Sequence, residues 1–478
     1  METEKLIGYF KDISAIPRAS KDEKAVAEYI MNFARERELE AVQDEKGNVV
    51  VKKPAFGCET EETVILQGHM DMVYVKADDS DHCYEDGIIV KEKDGFLYAE
   101  GTSLGADNGV AIAYCMMLMD AKDLVHPNLE MIFTVEEEIG LTGAGALDVS
   151  NLRGKKFINL DSEDEGLFCV SCAGAVRAGF YWNKEMEELN CEEQMAELLI
   201  EIGGLKGGHS GMDINKDRAN AIQLTGRILY ELNNEGVDYR IGKIHSPGQA
   251  NAIASHAKLW IYVKESQITA VKDQIMTLEK VFQNEYDGTD SLYIALKESE
   301  VSAGISVYEK SLNKRISDAI MMMPIGVVNY SAKVEGLVET SANIGILEEQ
   351  GDRLYMLAAI RSAVDSKKFL VRDKMKIIAE LYMDEVIFFN NYPGWEYKEE
   401  SLIRDIICDT YKKVTGKDAQ VEAVHAGLEC GFFSYKNPEF DLISIGPDIF
   451  DVHSVKERAS VNSMVSTWEF LKEVLKNI

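Results

Sequence analysis

Hydrophobic periodicity divides the chain into stretches of different texture. In the first, residues 21–37 place Val26, Ile30 and Phe33 at helical spacing, and residues 48–51 read as a short strand. Residues 63–67 (TVILQ) form a compact β-branched run that ends at Gly68, the pattern of a buried strand entering a loop. An apolar helix is expected over 108–120, after the turn GADNG. Strands are expected over 129–135 (LEMIFTV) and 156–160 (KFINL). Strands and helices in this mixture predict an α/β sheet covered by helices.

The middle of the chain follows another plan. Strand material at 198–203 and 250–263 alternates with helices at 218–232 and 268–284. The plan then repeats, with a strand at 291–296, a helix at 307–322, strands within 327–363 and a helix at 367–383. Asn251 and Asn343 fall at comparable points of the two halves. Two β-α-β-β-α units predict one larger α+β domain. After 392–395 (YPGW) the early texture returns, with a helix at 402–414, a buried strand at 440–445 (FDLISI) and a closing helix at 463–475. The expected fold is therefore α/β. A split domain, residues 1–186 and 392–478, holds a central mixed β-sheet flanked by helices, and residues 187–391 form an inserted α+β domain of two β-α-β-β-α units.

Composition narrows the function. Of 478 residues, 46% are hydrophobic and 28% charged, which excludes disorder and supplies a large core. Lys and Arg number 51 against 82 Asp and Glu, a net charge of −31. Such a surface repels phosphate backbones and anionic lipid, so neither nucleic acid nor membrane is an expected partner. Cys169 and Cys172 form a CxxC with no second pair at zinc-ribbon spacing, so they are expected to be buried thiols. No apolar run reaches the roughly 18 residues of a membrane span, and the first residues lack a signal-peptide pattern. A cytoplasmic protein is expected. The Met-rich runs 115–119 and 321–323 read as core filler, and His82, His126, His245 and His256 as surface or satisfied core residues.

The chemistry lies where ligand-type residues meet strand ends. TVILQ runs into Gly68-His69-Met70-Asp71, and a carboxylate two residues on can fix the orientation of a metal-binding imidazole. Asp107 stands at the mouth of the 108–120 helix, where it can cap the helix or bridge two cations. LEMIFTV ends at Glu136-Glu137-Glu138, and three adjacent carboxylates repel unless solvated or neutralised by a cation. KFINL ends at Asp161, and FDLISI is followed by Gly446-Pro447-Asp448 and then His453. Open α/β sheets bind ligands outside the carboxyl ends of their strands. Two histidines and several carboxylates there suit a pair of divalent metals, most simply Zn²⁺, with Mn²⁺ and Co²⁺ accepting the same ligands. A spare glutamate beside a ligand glutamate supplies a general base. Metal-assisted hydrolysis is the expected reaction.

HMD at 69–71, GADNG at 105–109, EEIG at 137–140, Asp161 and His453 resemble the motifs of the dinuclear zinc dipeptidase and carboxypeptidase family, which includes acylases and carnosinases. The resemblance covers nearly the whole chain, from IPRAS at 16–20. GLKGGHSGMD at 204–213, RAN at 218–220 and HAGLECG at 425–431 resemble its bacterial dipeptidase branch, which the large duplicated insert also fits. The resemblance implies that Asp107 bridges both metals, that His69 and Asp161 complete one site, and that Glu138 and His453 complete the other. It implies Glu137 as general base, Asp71 as the group orienting His69, and His209 as an oxyanion donor. Asn251, Arg361 and His425 become substrate-binding candidates, with Arg361 suited to a C-terminal carboxylate. The implied activity is hydrolysis of dipeptides with a free amino end, Xaa-His included, by a homodimer. In it the split domain is catalytic and the insert, residues 187–391, is a lid and dimerisation domain that closes over the substrate.

Three positions depart from the family pattern. Glu136 stands where Asp is usual, Val455 where proline is common, and residues 448–452 (DIFDV) are more acidic and bulkier than expected. None removes a ligand. The competing readings are an N-acyl amino acid amidohydrolase with the same metals and an inactive dimeric binding protein.

Overall fold

Four of the apolar runs become the centre of one sheet. The computed structural model describes residues 2–189, 194–301 and 304–478. In it Asn128–Thr134, Thr63–His69, Lys156–Asn159 and Asp441–Ser444 lie side by side in that order. All three pairings are parallel, so all four carboxyl ends reach the same edge. Val49–Lys53 and Glu40–Gln43 extend the sheet on one side, and Leu167–Cys172 and Gln420–Val424 on the other, giving eight strands of mixed direction. Parallel strands bury both faces and need helices on each. Ala106–Asp120 shows this from sequence: it is apolar all round, and Val110, Ile112, Tyr114, Met116 and Leu118 are all buried. The Tyr114 ring stacks on Trp468 of the closing helix Val461–Lys476, and its hydroxyl donates to the Met464 carbonyl at 2.8 Å.

The chain divides into two units, one running up to Cys172 and resuming over Gly394–Ile478, the other spanning Ala173–Pro393. The first join thus falls after Cys172 rather than near 186. Gly174–Asn183, upstream of the expected join, pairs with Arg353–Ser362 and Glu385–Tyr392 of the second unit. The expected sequential duplication is also corrected. The first four-stranded sheet runs Tyr239–His245, Ala257–Lys264, Met195–Gly203, Tyr293–Glu300, with helices Ala221–Asn234 and Ile268–Glu285. The strand expected to open the second repeat therefore closes the first. The second sheet runs Gly326–Tyr330, Val338–Gln350, Arg353–Ser362, Gly174–Asn183, Glu385–Tyr392, with helices Lys310–Met322 and Asp365–Tyr382. The first repeat is β-α-β-β-α-β, the second carries one strand more between its helices, and the first is nested inside the second.

Cys169 and Cys172 are buried thiols, as expected. The run Cys115–Met119 is core, but Met321 and Met322 are exposed at the end of their helix and only Met323 is buried. Among the described residues, no helix is long and apolar enough to cross a membrane.

Candidate metal centre

The Thr63–His69 strand ends on its own candidate ligand. His69 is buried, and its Nδ1 lies 3.0 Å from the Asp71 carbonyl oxygen and 3.4 Å from Asp71 Oδ1. Facing only acceptors, Nδ1 carries hydrogen, which turns Nε2 toward the site. That Nε2 is 2.9 Å from Asp107 Oδ1 and 3.4 Å from Asp161 Oδ1. On the other side, His453 Nε2 is 3.1 Å from Asp107 Oδ2 and 2.8 Å from Glu138 Oε1. One carboxylate therefore joins two histidine–carboxylate pairs through its two oxygens.

Asp107 reaches this position because the chain leaves helical geometry there. The N-cap of its helix is Gly105, at φ 71°, and Asp107 itself has φ −77° and ψ 108°. Its carboxylate faces the two imidazoles instead of capping the helix. Only glycine fits at 105, where the left-handed backbone coincides with Arg18 Nη2 and Met72 Sδ each 2.7 Å from a Cβ position. The neighbouring Asn108 donates to the Leu160 carbonyl at 2.8 Å and accepts from the His69 amide at 3.1 Å, so it ties two ligand-bearing strand ends together.

Asp71 is fully buried. Its Oδ1 accepts from the Glu137 amide at 3.0 Å, and its Oδ2 accepts from the Glu138 amide at 3.2 Å and from Ser20 Oγ at 2.8 Å. It thus sets both His69 and the paired glutamates. Glu136, the departure from the family pattern, turns away to pair with Lys46 and to accept from Thr142.

Electrostatics follow from this crowding. Burial opposes the charged form of His69, but Asp161, Asp107 and Asp71 outweigh it and hold its pKa well above the usual imidazole range. Hydrogen bonds to Asp107 and Glu138 lift His453 to about 11. Burial would raise Asp107, yet the two histidines keep it below the ordinary carboxylate range. Asp161 rises to about 6 through burial, with His69 opposing. Glu137 is pushed well above the carboxylate range by burial and then by Asp161, Glu138 and Glu429, against His69. A carboxyl group raised in this way is suited to accept and hold a proton.

The donor set fits divalent metal. His69, Asp107 and Glu138 each offer a ligand atom within 4.8 Å of the others, and Asp161 and His453 flank them through the contacts above. Two imidazole nitrogens and three carboxylates make the nitrogen–oxygen environment that Zn²⁺, Mn²⁺ and Co²⁺ accept.

The second unit gathers three other candidates. His209 pairs with Ala252 in a short ladder, and the Ser210 amide donates to the Asn251 carbonyl at 2.7 Å. His209 Nδ1 accepts from the amides of Gly211 at 3.3 Å and Met212 at 3.1 Å, which leaves the ring hydrogen on Nε2. Burial and then Arg361 hold its pKa below the usual range, with Asp213 opposing. Arg361 is buried on Arg353–Ser362, the middle strand of its sheet. His425, in the first unit, is buried just beyond Gln420–Val424.

Sequence reasoning missed the buried charges behind the site. Arg18 is 1% exposed and donates to the carbonyls of Met70, Asp71 and Gly105. Glu457 and Glu429 are also buried. Glu429 accepts from Gln67 at 2.5 Å and Thr134 at 2.6 Å, and burial lifts it to about 7. In sequence such residues look like any surface charge, and neither Arg18 nor Glu429 stands out within the segments already marked by resemblance.

Comparison with known proteins shows what the chain as a whole is similar to. The cytosol non-specific dipeptidase of Escherichia coli is 32% identical over 471 residues, covering 98% of this chain and 96% of that protein. The crystal structure of aminoacylhistidine dipeptidase from Vibrio alginolyticus matches with a TM-score of 0.91 at 33% identity, over 99% of this chain and 96% of that one. An M20 family metallo-carboxypeptidase from Sulfolobus solfataricus, 14% identical with a TM-score of 0.55 over 99% and 98% of the two chains, shares the fold. Residues 65–477 match the description Peptidase family M20/M25/M40, and with most of its length and both dipeptidases in agreement, this chain belongs to that family.

Proposed function

We propose that the protein is a dinuclear metallodipeptidase that hydrolyses dipeptides with a free amino end, Xaa-His among them. The observation that carries this reading is the Asp107 carboxylate, which meets His69 through one oxygen and His453 through the other. His69 and Asp161 would hold one metal, Glu138 and His453 the other, and Asp107 both. When bound, two divalent ions supply Lewis acidity that polarises the scissile carbonyl and lowers the pKa of the attacking water.

The chain's own residues do the rest. Glu137 takes the proton from the attacking water and returns it to the leaving nitrogen as the peptide bond breaks. Asp71 keeps His69 and the Glu137 backbone in place through the bonds described above. His209, neutral with hydrogen on Nε2, is assigned as donor to the developing oxyanion, a role worth roughly 10²–10³ in rate. Arg361 is assigned to the C-terminal carboxylate of the dipeptide, and Asn251 and His425 to substrate contacts. We take the metal to be zinc and the working form to be a homodimer, as the family resemblance implies. Its compartment we take to be the cytosol, as the name of the Escherichia coli relative says of that protein.

The test is hydrolysis of β-Ala-His, Gly-His, Leu-Gly and N-acetyl-Leu by metal-stripped protein reloaded with Zn²⁺ or Mn²⁺, beside Glu137→Gln. Cleavage of the dipeptides and not of N-acetyl-Leu is expected, with the variant about 10²–10⁴-fold slower and still loaded with metal. Cleavage of N-acetyl-Leu alone would make the protein an acylase. Two bound metals without any turnover would make it a binding protein.

A further inference from the structure

Glu457 lies four residues after His453 and is 3% exposed. Its Oε2 accepts from the amides of Leu104 at 2.7 Å and Gly105 at 2.9 Å. Its Oε1 accepts from the amides of Ala106 at 2.8 Å and Asp107 at 3.3 Å. One carboxylate thus gathers four consecutive backbone donors, ending on the bridging residue. No side chain of the chain's own N-cap residue serves these groups, because that residue is Gly105. Arg18 Nη2 donates to the Gly105 carbonyl at 2.5 Å, so the loop is held through both its amides and its carbonyl.

The same short segment carries His453. The Glu457 amide donates to the Ser454 carbonyl at 3.2 Å, which closes a turn between the two residues. Two links therefore join this turn to the 104–107 loop: His453 to the Asp107 side chain, and Glu457 to the Asp107 backbone. Together they form a closed ring of contacts that leaves the bridging carboxylate little freedom.

Resting on the dinuclear reading above, we propose that Glu457 is a positioning residue that fixes the Asp107 carboxylate relative to His453 before any metal arrives. A helix-capping role alone is the simpler account of the four hydrogen bonds, and it predicts something different. A cap stabilises the fold equally with and without metal. A positioning residue changes how tightly the folded protein binds metal.

Glu457→Gln replaces one acceptor oxygen by an amide group that faces two backbone donors. Glu457→Asp keeps the charge beside Arg18 but withdraws the carboxylate from the loop. Both are to be followed by competitive Zn²⁺ titration, by the visible spectrum of the Co²⁺-loaded protein, and by melting temperature with and without metal. Wild-type protein should bind two ions. Each folded variant should bind at least one of them about 10- to 100-fold more weakly and show an altered Co²⁺ spectrum, in the range seen when groups supporting metal ligands are removed. Zn²⁺ affinity within twofold of wild type, with an unchanged Co²⁺ spectrum, overturns the proposal and leaves a helix cap. If neither variant folds, amide exchange of metal-free wild-type protein decides. Protection at residues 104–107 is expected, and rapid exchange there overturns preorganisation. Fewer than two ions in wild-type protein would count against the dinuclear reading itself, not against this assignment.

Discussion

The Asp71 carboxylate touches three separate pieces of the chain: the imidazole two residues before it, Ser20, and the amides of Glu137 and Glu138. Asp71→Asn would turn one accepting oxygen into a donor facing an amide. Metal affinity should fall about 10- to 100-fold, the usual effect of removing such a partner, with turnover falling alongside; a chelator competition assay reads the first and steady-state kinetics the second. An affinity equal to wild type would mean that His69 holds its orientation without Asp71. A second outcome concerns protons. In the metal-free protein, hydrogen bonds to Asp107 and Glu138 lift His453 to about 11, so at pH 7 it carries a proton that a metal must displace. Loading should release protons, and affinity should weaken as pH falls, by about tenfold per pH unit for each proton released. Calorimetry in buffers of different ionisation enthalpy measures the release, and affinity that stays constant from pH 6 to 8 would contradict it. Four of the candidate ligands were legible because they follow strands whose apolar runs mark them as buried, and Asp107 because it stands at the mouth of an apolar helix. Arg18 and Glu457 were not, since a buried ion is recognisable only by what surrounds it.

Between residue and molecule lies a polar layer that joins the central strands one step behind the ligands. Gln67 donates to Glu429 and accepts from Asn159 at 2.7 Å; Asn159 accepts from Ser444 at 2.5 Å; and Ser444 meets Ser162 at 2.9 Å. Gln67 and Asn159 each stand two residues before a ligand, His69 and Asp161, so the layer sets the register of the strand ends that present them. Gly446 allows the last of these strands to close on the site, because a Cβ there would lie 1.7 Å from the Ser162 carbonyl oxygen. Gln67→Met keeps the volume but strips Glu429 and Asn159 of a partner. Unpaired buried polar groups cost about 1–3 kcal/mol each, so the melting temperature should drop by several degrees, and an unchanged value would show that the layer is not needed. Hydrophobic patterning finds these four strands because their runs are compact and apolar. It does not find the layer, since a lone glutamine or asparagine at the end of such a run resembles the start of a loop. It also misplaces the strand Tyr293–Glu300, because nothing local to a strand says which partner it takes. Ala196 pairs with Glu300 in one sheet, whereas Ala178 waits for Ala358 in the other.

At the scale of the whole chain, every candidate metal ligand, together with Glu137, Asp71 and Glu457, belongs to the unit interrupted after Cys172, and His209, Asn251 and Arg361 belong to the inserted one. The return of the early texture after residue 395 made the interruption legible, because a domain completed by a distant segment repeats its own pattern there. The point of insertion is narrow. Cys172 and Trp395 exchange both backbone hydrogen bonds, at 3.1 and 2.9 Å, so the two ends of the interrupted unit already lie side by side. Its buried core, from Leu6 and Phe10 to Leu471 and Leu475, is drawn from this unit alone. Replacing residues 173–393 by a short Gly-Ser linker should therefore give a folded protein, as inserted domains whose ends meet are commonly removable. That protein should bind two equivalents of Zn²⁺, because none of the assigned ligands is lost. Its dipeptide turnover should fall by at least about 10²-fold, the loss expected from removing an oxyanion donor even before the carboxylate clamp is counted. Circular dichroism, metal stoichiometry and a Gly-His assay separate the outcomes. A folded, metal-loaded unit with full turnover would remove His209 and Arg361 from the reaction, whereas a folded unit without metal would show that the ligand set depends on the insert.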